Sequence, residues 1–319
     1  MTAPPLLQVE GLSVEFRGRA GGTVRAVSDL DLEVREGETL GLVGESGCGK
    51  STLGRALLRA VDPAAGRIHY LGRDITRLTP GRMRSLRGDL QMIFQDPFGS
   101  LNPRRRVADI VAEPLLRARG ASRAEAARRV ADLLDRVGLG REAGARMPHE
   151  FSGGQRQRIG IARALAPSPR FVVADEPVSA LDVSIQAQVV NLMAELIRDE
   201  GLTLLFISHD LGVVRHIADR VAVMYLGQII EVVAREDFFA APAHPYSAAL
   251  LSAVPTLRRT RERIVLTGEP PDPADPPTGC RFHTRCRHAT DRCRAEEPVL
   301  REVSAGRSVR CHFPLPGPV

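Results

Sequence analysis

The spacing of apolar and polar positions changes along the chain, and each change predicts an element. Leu30, Leu32 and Val34 alternate with Asp29, Asp31 and Glu33, which predicts a strand with one buried face. Residues 6–16 and 24–34 together predict a β-rich opening. Residues 39–43 form a short buried strand, residues 52–60 a helix, residues 66–76 a hairpin and residues 90–94 another buried strand. The period then becomes helical. Ser122 and Glu125 have capping-box spacing, and Val130, Leu133, Leu134 and Val137 follow until Gly138 stops the helix. Ser152 and Gln155 open a further helix that runs to about Leu165 and ends at Pro167. Buried strands at 171–174 and 204–207 flank an amphipathic helix with Ile185, Val189, Leu192 and Leu196 on one face, closed by Gly201. A hairpin over 220–225 and 228–233 turns at Leu226-Gly227. Short buried strands interleaved with helices predict an α/β fold, whose ligands bind at the carboxyl ends of the strands.

The strongest chemical signal follows the strand at 39–43. Gly44-Glu45-Ser46-Gly47-Cys48-Gly49-Lys50-Ser51-Thr52 fits a phosphate loop, in the strand–loop–helix context that the motif requires. Glycines let backbone N–H groups turn inward on phosphate oxygens, and the helix adds its positive end. Lys50 supplies a point charge for the β- and γ-phosphates, and the Ser51 hydroxyl is placed for Mg²⁺. Composition sharpens this reading. Of 44 Lys and Arg residues, Lys50 is the only lysine, so the arginine bias gives way where a compact ammonium fits and a planar guanidinium would not.

Other polar residues stand at strand ends. Gln95 follows the strand at 90–94. Asp175 and Glu176 end the strand at 171–174, and because successive side chains point oppositely they take different roles. Asp175 is placed to hold Mg²⁺ through its water shell, and Glu176 to polarise an attacking water. His209 ends the strand at 204–207, beside the expected γ-phosphate. Phe16 lies upstream at a distance where an aromatic could stack on adenine, with core packing equally open.

Length allows one large α/β domain with an appendage. No window approaches ~20 uninterrupted apolar residues, and the opening residues lack the pattern of a signal peptide, so a cytosolic chain is expected. The net charge of +6 is spread among Asp and Glu and does not by itself indicate nucleic acid. Cys280, Cys286, Cys293 and Cys311 cluster in the tail with gaps of five, six and seventeen residues. Disulfides, zinc with help from His283, His288 or His312, an iron–sulfur cluster and free thiols are all open from spacing alone.

Taken together, the phosphate loop, Gln95, the Phe151-Ser152-Gly153-Gly154-Gln155 signature, Asp175-Glu176, Ser179-Ala180-Leu181-Asp182 and His209 resemble the ATP-binding cassette (ABC) ATPases over residues 6–235. Phe151 departs from that family's usual leucine. The resemblance implies a P-loop ABC fold with a β-rich N-terminal subdomain, a mixed central sheet and an inserted helical subdomain at about 96–165. It also implies head-to-tail pairs, in which ATP and Mg²⁺ on one phosphate loop are covered by Ser152–Gln155 of the other copy. Ser179–Asp182 would bridge the halves. Ser51, Gln95 and Asp175 would surround the metal, and Gln95, Glu176 and His209 would serve hydrolysis.

The tail, with His244-Pro245-Tyr246, a helix ending at Val254-Pro255, a proline-rich run over 269–277 and Gly279-Cys280-Arg281-Phe282-His283, looks like the C-terminal extension of oligopeptide and dipeptide importer ATPases. The domains expected are therefore a nucleotide-binding domain at 1–240 and an extension at 241–319. GESGCGKSTL followed by FQDPFGSLNPR is similar to the F-type ATPase of those importers. This implies a D-type sister or a second copy as ATPase partner, two membrane permease subunits, an extracytoplasmic binding protein and a peripheral position on the cytoplasmic face of the inner membrane. It further implies a [4Fe–4S] cluster on the four tail cysteines, with zinc as the alternative. The competing expectation is a soluble cassette acting on nucleic acid. The gap of about a hundred residues between phosphate loop and signature, without sustained heptads, speaks against the coiled coils or large inserts of that class. A metabolic kinase has no use for the signature or for a water-polarising glutamate.

Overall fold

The structure, a computed structural model, describes residues 5–17, 22–254, 264–266 and 268–316. Pro255, expected just after the tail helix, lies outside the described residues. In chain order the elements begin with β1 (Leu7–Arg17), β2 (Thr23–Val34), β3 (Thr39–Val43), α1 (Lys50–Leu57), β4 (Ala65–Tyr70) and β5 (Arg73–Asp74). Next come α2 (Pro80–Arg84), β6 (Leu90–Ile93), α3 (Val107–Arg119), α4 (Arg123–Arg136), α5 (Gly153–Leu165), β7 (Phe171–Asp175), α6 (Val183–Glu200) and β8 (Thr203–Ile207). The chain closes with α7 (Leu211–Ile217), β9 (Arg220–Tyr225), β10 (Gln228–Ala234), α8 (Arg235–Ala240), α9 (Pro245–Ser252), α10 (Asp291–Ala295), β11 (Arg301–Ser304) and β12 (Arg307–Val309). These divide into two compact units, Met1–Thr76 with Ser208–Val319, and Arg77–Ile207. Among the described residues no helix is long and apolar enough to cross a membrane.

The first unit contains an antiparallel sheet in the order β2-β1-β4-β5. Leu7, Val9, Leu12 and Val14 of β1 face Val34, Leu32, Leu30 and Val27 of β2, and all eight are buried. The alternation read from β2 is therefore a true one-sided strand. The same unit runs β3 parallel to β9, with β9-β10-β12-β11 continuing antiparallel. β3 is buried on both faces, and a Cβ at Gly41 would come within 2.8 Å of Val214 on α7. Leu226 and Gly227, both at positive φ, make the tight turn between β9 and β10. The tail is thus joined to the core sheet through β12.

The second unit has parallel strands in the order β8-β7-β6, with α3, α4 and α5 packed together as the helical insert. Ser122 caps α4 in the predicted reciprocal box with Glu125. Three expectations needed adjustment. The helix after the phosphate loop begins at Lys50 and stops at Leu57, because the last turn tightens onto Arg59, which has positive φ. On α6 the buried face is Val189, Val190, Met193 and Leu196, so it is rotated away from Ile185 and Leu192. α3 and α7 are helices that the pattern did not separate from their surroundings. α3 contains Pro114, and α7 is only seven residues long.

Candidate nucleotide site

The first unit carries the phosphate loop between β3 and α1. Gly44 and Gly49 are required by close approach. A Cβ on Gly44 would lie 2.2 Å from the Met224 carbonyl oxygen, and one on Gly49 would lie 2.0 Å from that of Ala26. Both glycines also have positive φ, where an L side chain is strained. The loop is thereby pressed onto β9 and β2, and Gly227 N donates to Cys48 O at 2.9 Å. Lys50 is 4% exposed. Its ammonium donates to the carbonyls of Gly44 (2.9 Å) and Glu45 (2.8 Å), so the charge is held inside the curve of the loop. Burial pushes the Cys48 thiol up, partly offset by the Lys50 charge.

Two contacts to this loop have no signature in the loop's own sequence. Glu45 N donates to the Tyr246 hydroxyl at 2.9 Å, and the Glu45 carboxylate pairs with Arg285. Position 45 is free in the motif, so the loop pattern gave no signal for either; only the tail string containing Tyr246 stood out. Ser51 and Thr52 lie in the first turn of α1. Phe16 is 43% exposed and pairs across to Val24, so core packing does not account for it. Ser208 N donates to Leu42 O at 3.2 Å, which brings exposed His209 level with the carboxyl end of β3, where the loop starts. Asp210 caps α7 through Gly212 N (2.8 Å) and Val213 N (3.3 Å).

The second unit brings together three of the expected residues. Gln95 leaves the carboxyl end of β6, and its amide donates to Glu176 Oε2 at 2.9 Å and approaches Ser179 Oγ at 3.5 Å. Ser179 Oγ in turn donates to Glu176 O at 3.0 Å. Glu176 N is tied to Ile207 O at 3.0 Å. Glu176 has φ 45°, a left-handed conformation that costs an L residue roughly 1–2 kcal/mol. Asp175 is 1% exposed within β7, while Glu176 is half-buried, so the adjacent carboxylates do occupy different environments.

The signature forms the start of α5. Ser152 Oγ accepts from Gln155 N at 3.4 Å, and Gln155 Oε1 accepts from Ser152 N at 3.0 Å. Ser152 is exposed, and this reciprocal cap holds a helix N-terminus open to solvent. A Cβ on Gly154 would come within 2.5 Å of Ile185, and one on Gly153 within 3.7 Å of Leu181. The signature therefore packs beside the Ser179–Asp182 segment, of which Ser179, Ala180 and Asp182 are exposed. Phe151 is buried with the Arg146 guanidinium 4.2 Å from its ring centre, an arrangement that explains how an aromatic replaces leucine here.

Comparison with known proteins now decides the family. Residues 27–179 match the ABC transporter family, and residues 230–293 match the oligopeptide/dipeptide transporter C-terminal region. The oligopeptide transport ATP-binding protein AppF of Bacillus subtilis is 53% identical over 319 residues, covering 97% of each chain. The chain belongs to the ABC transporter ATPases. The solved structure of MJ0796, described as a dimeric bacterial ABC transporter cassette, is 27% identical with a TM-score of 0.66, over 72% of this ATPase and 98% of that chain. Another structure of MJ0796, in a dimeric post-hydrolysis state bound to ADP and Pi, has a TM-score of 0.65. The fold is thus the P-loop ABC fold, and ATP with Mg²⁺ are the ligands of the family.

Within the tail, Cys280, Cys286, Cys293 and Cys311 line one small cavity with His244 and Phe282 among its other walls. The Cys280 thiol is pushed up to about 11, by burial first and then by the other three thiols. Burial raises Cys286 and Cys311 as well. Among the described residues no group of three or more His, Cys, Asp or Glu side chains is arranged to hold a metal ion. His244 is fully buried, accepts from Tyr246 N at 3.0 Å through Nδ1, and burial pushes it down to about 3, so it is neutral at physiological pH.

Proposed function

We infer that this ATPase is the energy-coupling subunit of a peptide-class ABC importer, hydrolysing ATP to ADP and phosphate while docked on membrane permeases. The observation that carries the catalytic part is the Gln95–Glu176–Ser179 hydrogen-bonded group at the carboxyl ends of β6 and β7. It holds the Glu176 carboxylate, on a backbone at positive φ, next to the glutamine that links hydrolysis to the membrane partner. Lys50 and Ser51 bind the triphosphate and its Mg²⁺, with Gln95 and Asp175 completing the metal's surroundings. Glu176 orients water, His209 contacts the γ-phosphate and Phe16 stacks on adenine. The whole-length likeness to AppF, tail included, supports the peptide class; on our reading the chain is an F-type subunit whose ATPase partner is a second copy of itself or a D-type sister. The match of the tail to the oligopeptide/dipeptide region disfavours a cassette acting on nucleic acid. We keep the domain boundary near residue 240, and place the subunit at the cytoplasmic face of the inner membrane, beneath two permeases fed by an extracytoplasmic binding protein.

The exposed cap of Ser152–Gln155 supports a shared site, since a helix N-terminus attracts anions. Ser152→Arg fills that end, and Lys50→Ala disables the loop. Each variant alone should lose turnover. Mixed together, they form pairs with one site that has both an intact loop and an intact signature, and ATPase activity should return. Ser152→Arg hydrolysing at the wild-type rate would remove the signature from the mechanism.

For the tail we propose a [4Fe–4S] cluster on Cys280, Cys286, Cys293 and Cys311. The four thiols line one cavity, and the neighbouring thiols help raise Cys280; an all-thiol set is the kind that holds such a cluster. When bound, the cluster would supply a covalent staple to a segment that builds little core of its own. Anaerobically purified protein should contain about four irons per chain with matching sulfide. One equivalent of zinc and no iron would reverse the assignment.

A further inference from the structure

Glu45 presents a difficulty that the phosphate loop alone does not resolve. A carboxylate beside a triphosphate site repels the ligand, and the motif does not require one there. The structure cancels that charge from the tail. Arg285, one residue before Cys286, meets Glu45 with two prongs, Nη1 to Oε2 at 2.7 Å and Nη2 to Oε1 at 3.0 Å. The Arg285 side chain is only 6% exposed. Its guanidinium also lies beside the Tyr225 hydroxyl, but the two-pronged pair with the Glu45 carboxylate is its principal contact.

The same residue is held at two further points. Glu45 N donates to the hydroxyl of Tyr246, whose ring packs 4.7 Å from Tyr225 and 5.4 Å from Phe282, centre to centre. Glu45 O accepts from the Lys50 ammonium. Thus two of the three polar groups of Glu45 are fixed by the tail, and the third is bonded to the phosphate-binding lysine.

We propose that Arg285 and Tyr246 are positioning residues for the phosphate loop, neutralising and anchoring Glu45 so that Lys50 is presented to the triphosphate. This rests on the nucleotide-site reading given above. It makes the tail part of the nucleotide site, and it links order in the cysteine segment to affinity for ATP.

The test is MgATP titration of the full-length chain by calorimetry, with circular dichroism to confirm folding. Arg285→Ala should raise Kd about tenfold, and Arg285→Lys should recover most of the loss. In a Glu45→Gln background, where no charge is left to cancel, Arg285→Ala should change Kd less than about twofold. Tyr246→Phe removes one oxygen and should weaken binding several-fold; it provides the decisive measurement if Arg285→Ala does not fold. A folded Arg285→Ala with wild-type Kd, an equal loss in both backgrounds, or wild-type affinity in Tyr246→Phe would overturn the proposal. Wild-type protein that binds no MgATP would instead sink the nucleotide-site reading itself.

Discussion

Glu176→Gln should bind MgATP with near wild-type affinity and hydrolyse it about 10²- to 10⁴-fold more slowly. The substitution preserves size, so the side chain still fits between Gln95 and Ser179. What it loses is the capacity of a carboxylate to draw a proton from water. Affinity should survive because the triphosphate is gripped elsewhere, by Lys50 and the loop N–H groups. Since hydrolysis would separate a nucleotide-joined pair, the variant should also accumulate as a dimer in MgATP. Gel filtration with and without nucleotide, together with single-turnover phosphate release, measures both effects. Turnover within threefold of wild type would leave Glu176 without its role.

Lys50→Ala should lose most nucleotide affinity, by about 2–5 kcal/mol, the range for truncating one partner of a buried charged contact. The buried ammonium is the loop's only side-chain cation, and it also closes the curve by bonding Gly44 O and Glu45 O. Without it those carbonyls lose a donor and the loop loses its shape as well as its charge. Lys50→Arg should fare little better, because a planar fork is a poor fit to a slot already filled by a point charge. Calorimetric titration with MgATP reads the change, and affinity within threefold of wild type would contradict the assignment.

Much of this site is legible in the residues because its chemistry is local. The phosphate loop needs glycines at fixed steps, and a strand end followed by Asp175-Glu176 can be found by pattern alone. The capping box at Ser152 is equally local, and the helix begins there as expected. What was missed depends on distant chain segments. The Glu45–Arg285 pair joins positions 240 residues apart, and nothing in either neighbourhood announces the other. The buried face of α6 departs from the apolar pattern for a similar reason. Periodicity ranks residues by apolarity, whereas Val190 and Met193 are buried by what packs on them. α7 is too short for a period to emerge, and it owes its start to the Asp210 cap.

The burial of Lys50 has a practical consequence. Apart from the amino terminus, it offers the chain's one primary amine. An acyl-phosphate analogue of ATP would therefore have a single side-chain address, and the label it leaves could be counted by mass. Occupancy of the pocket could then be followed in unfractionated membranes, on native protein, with no mutation or tag.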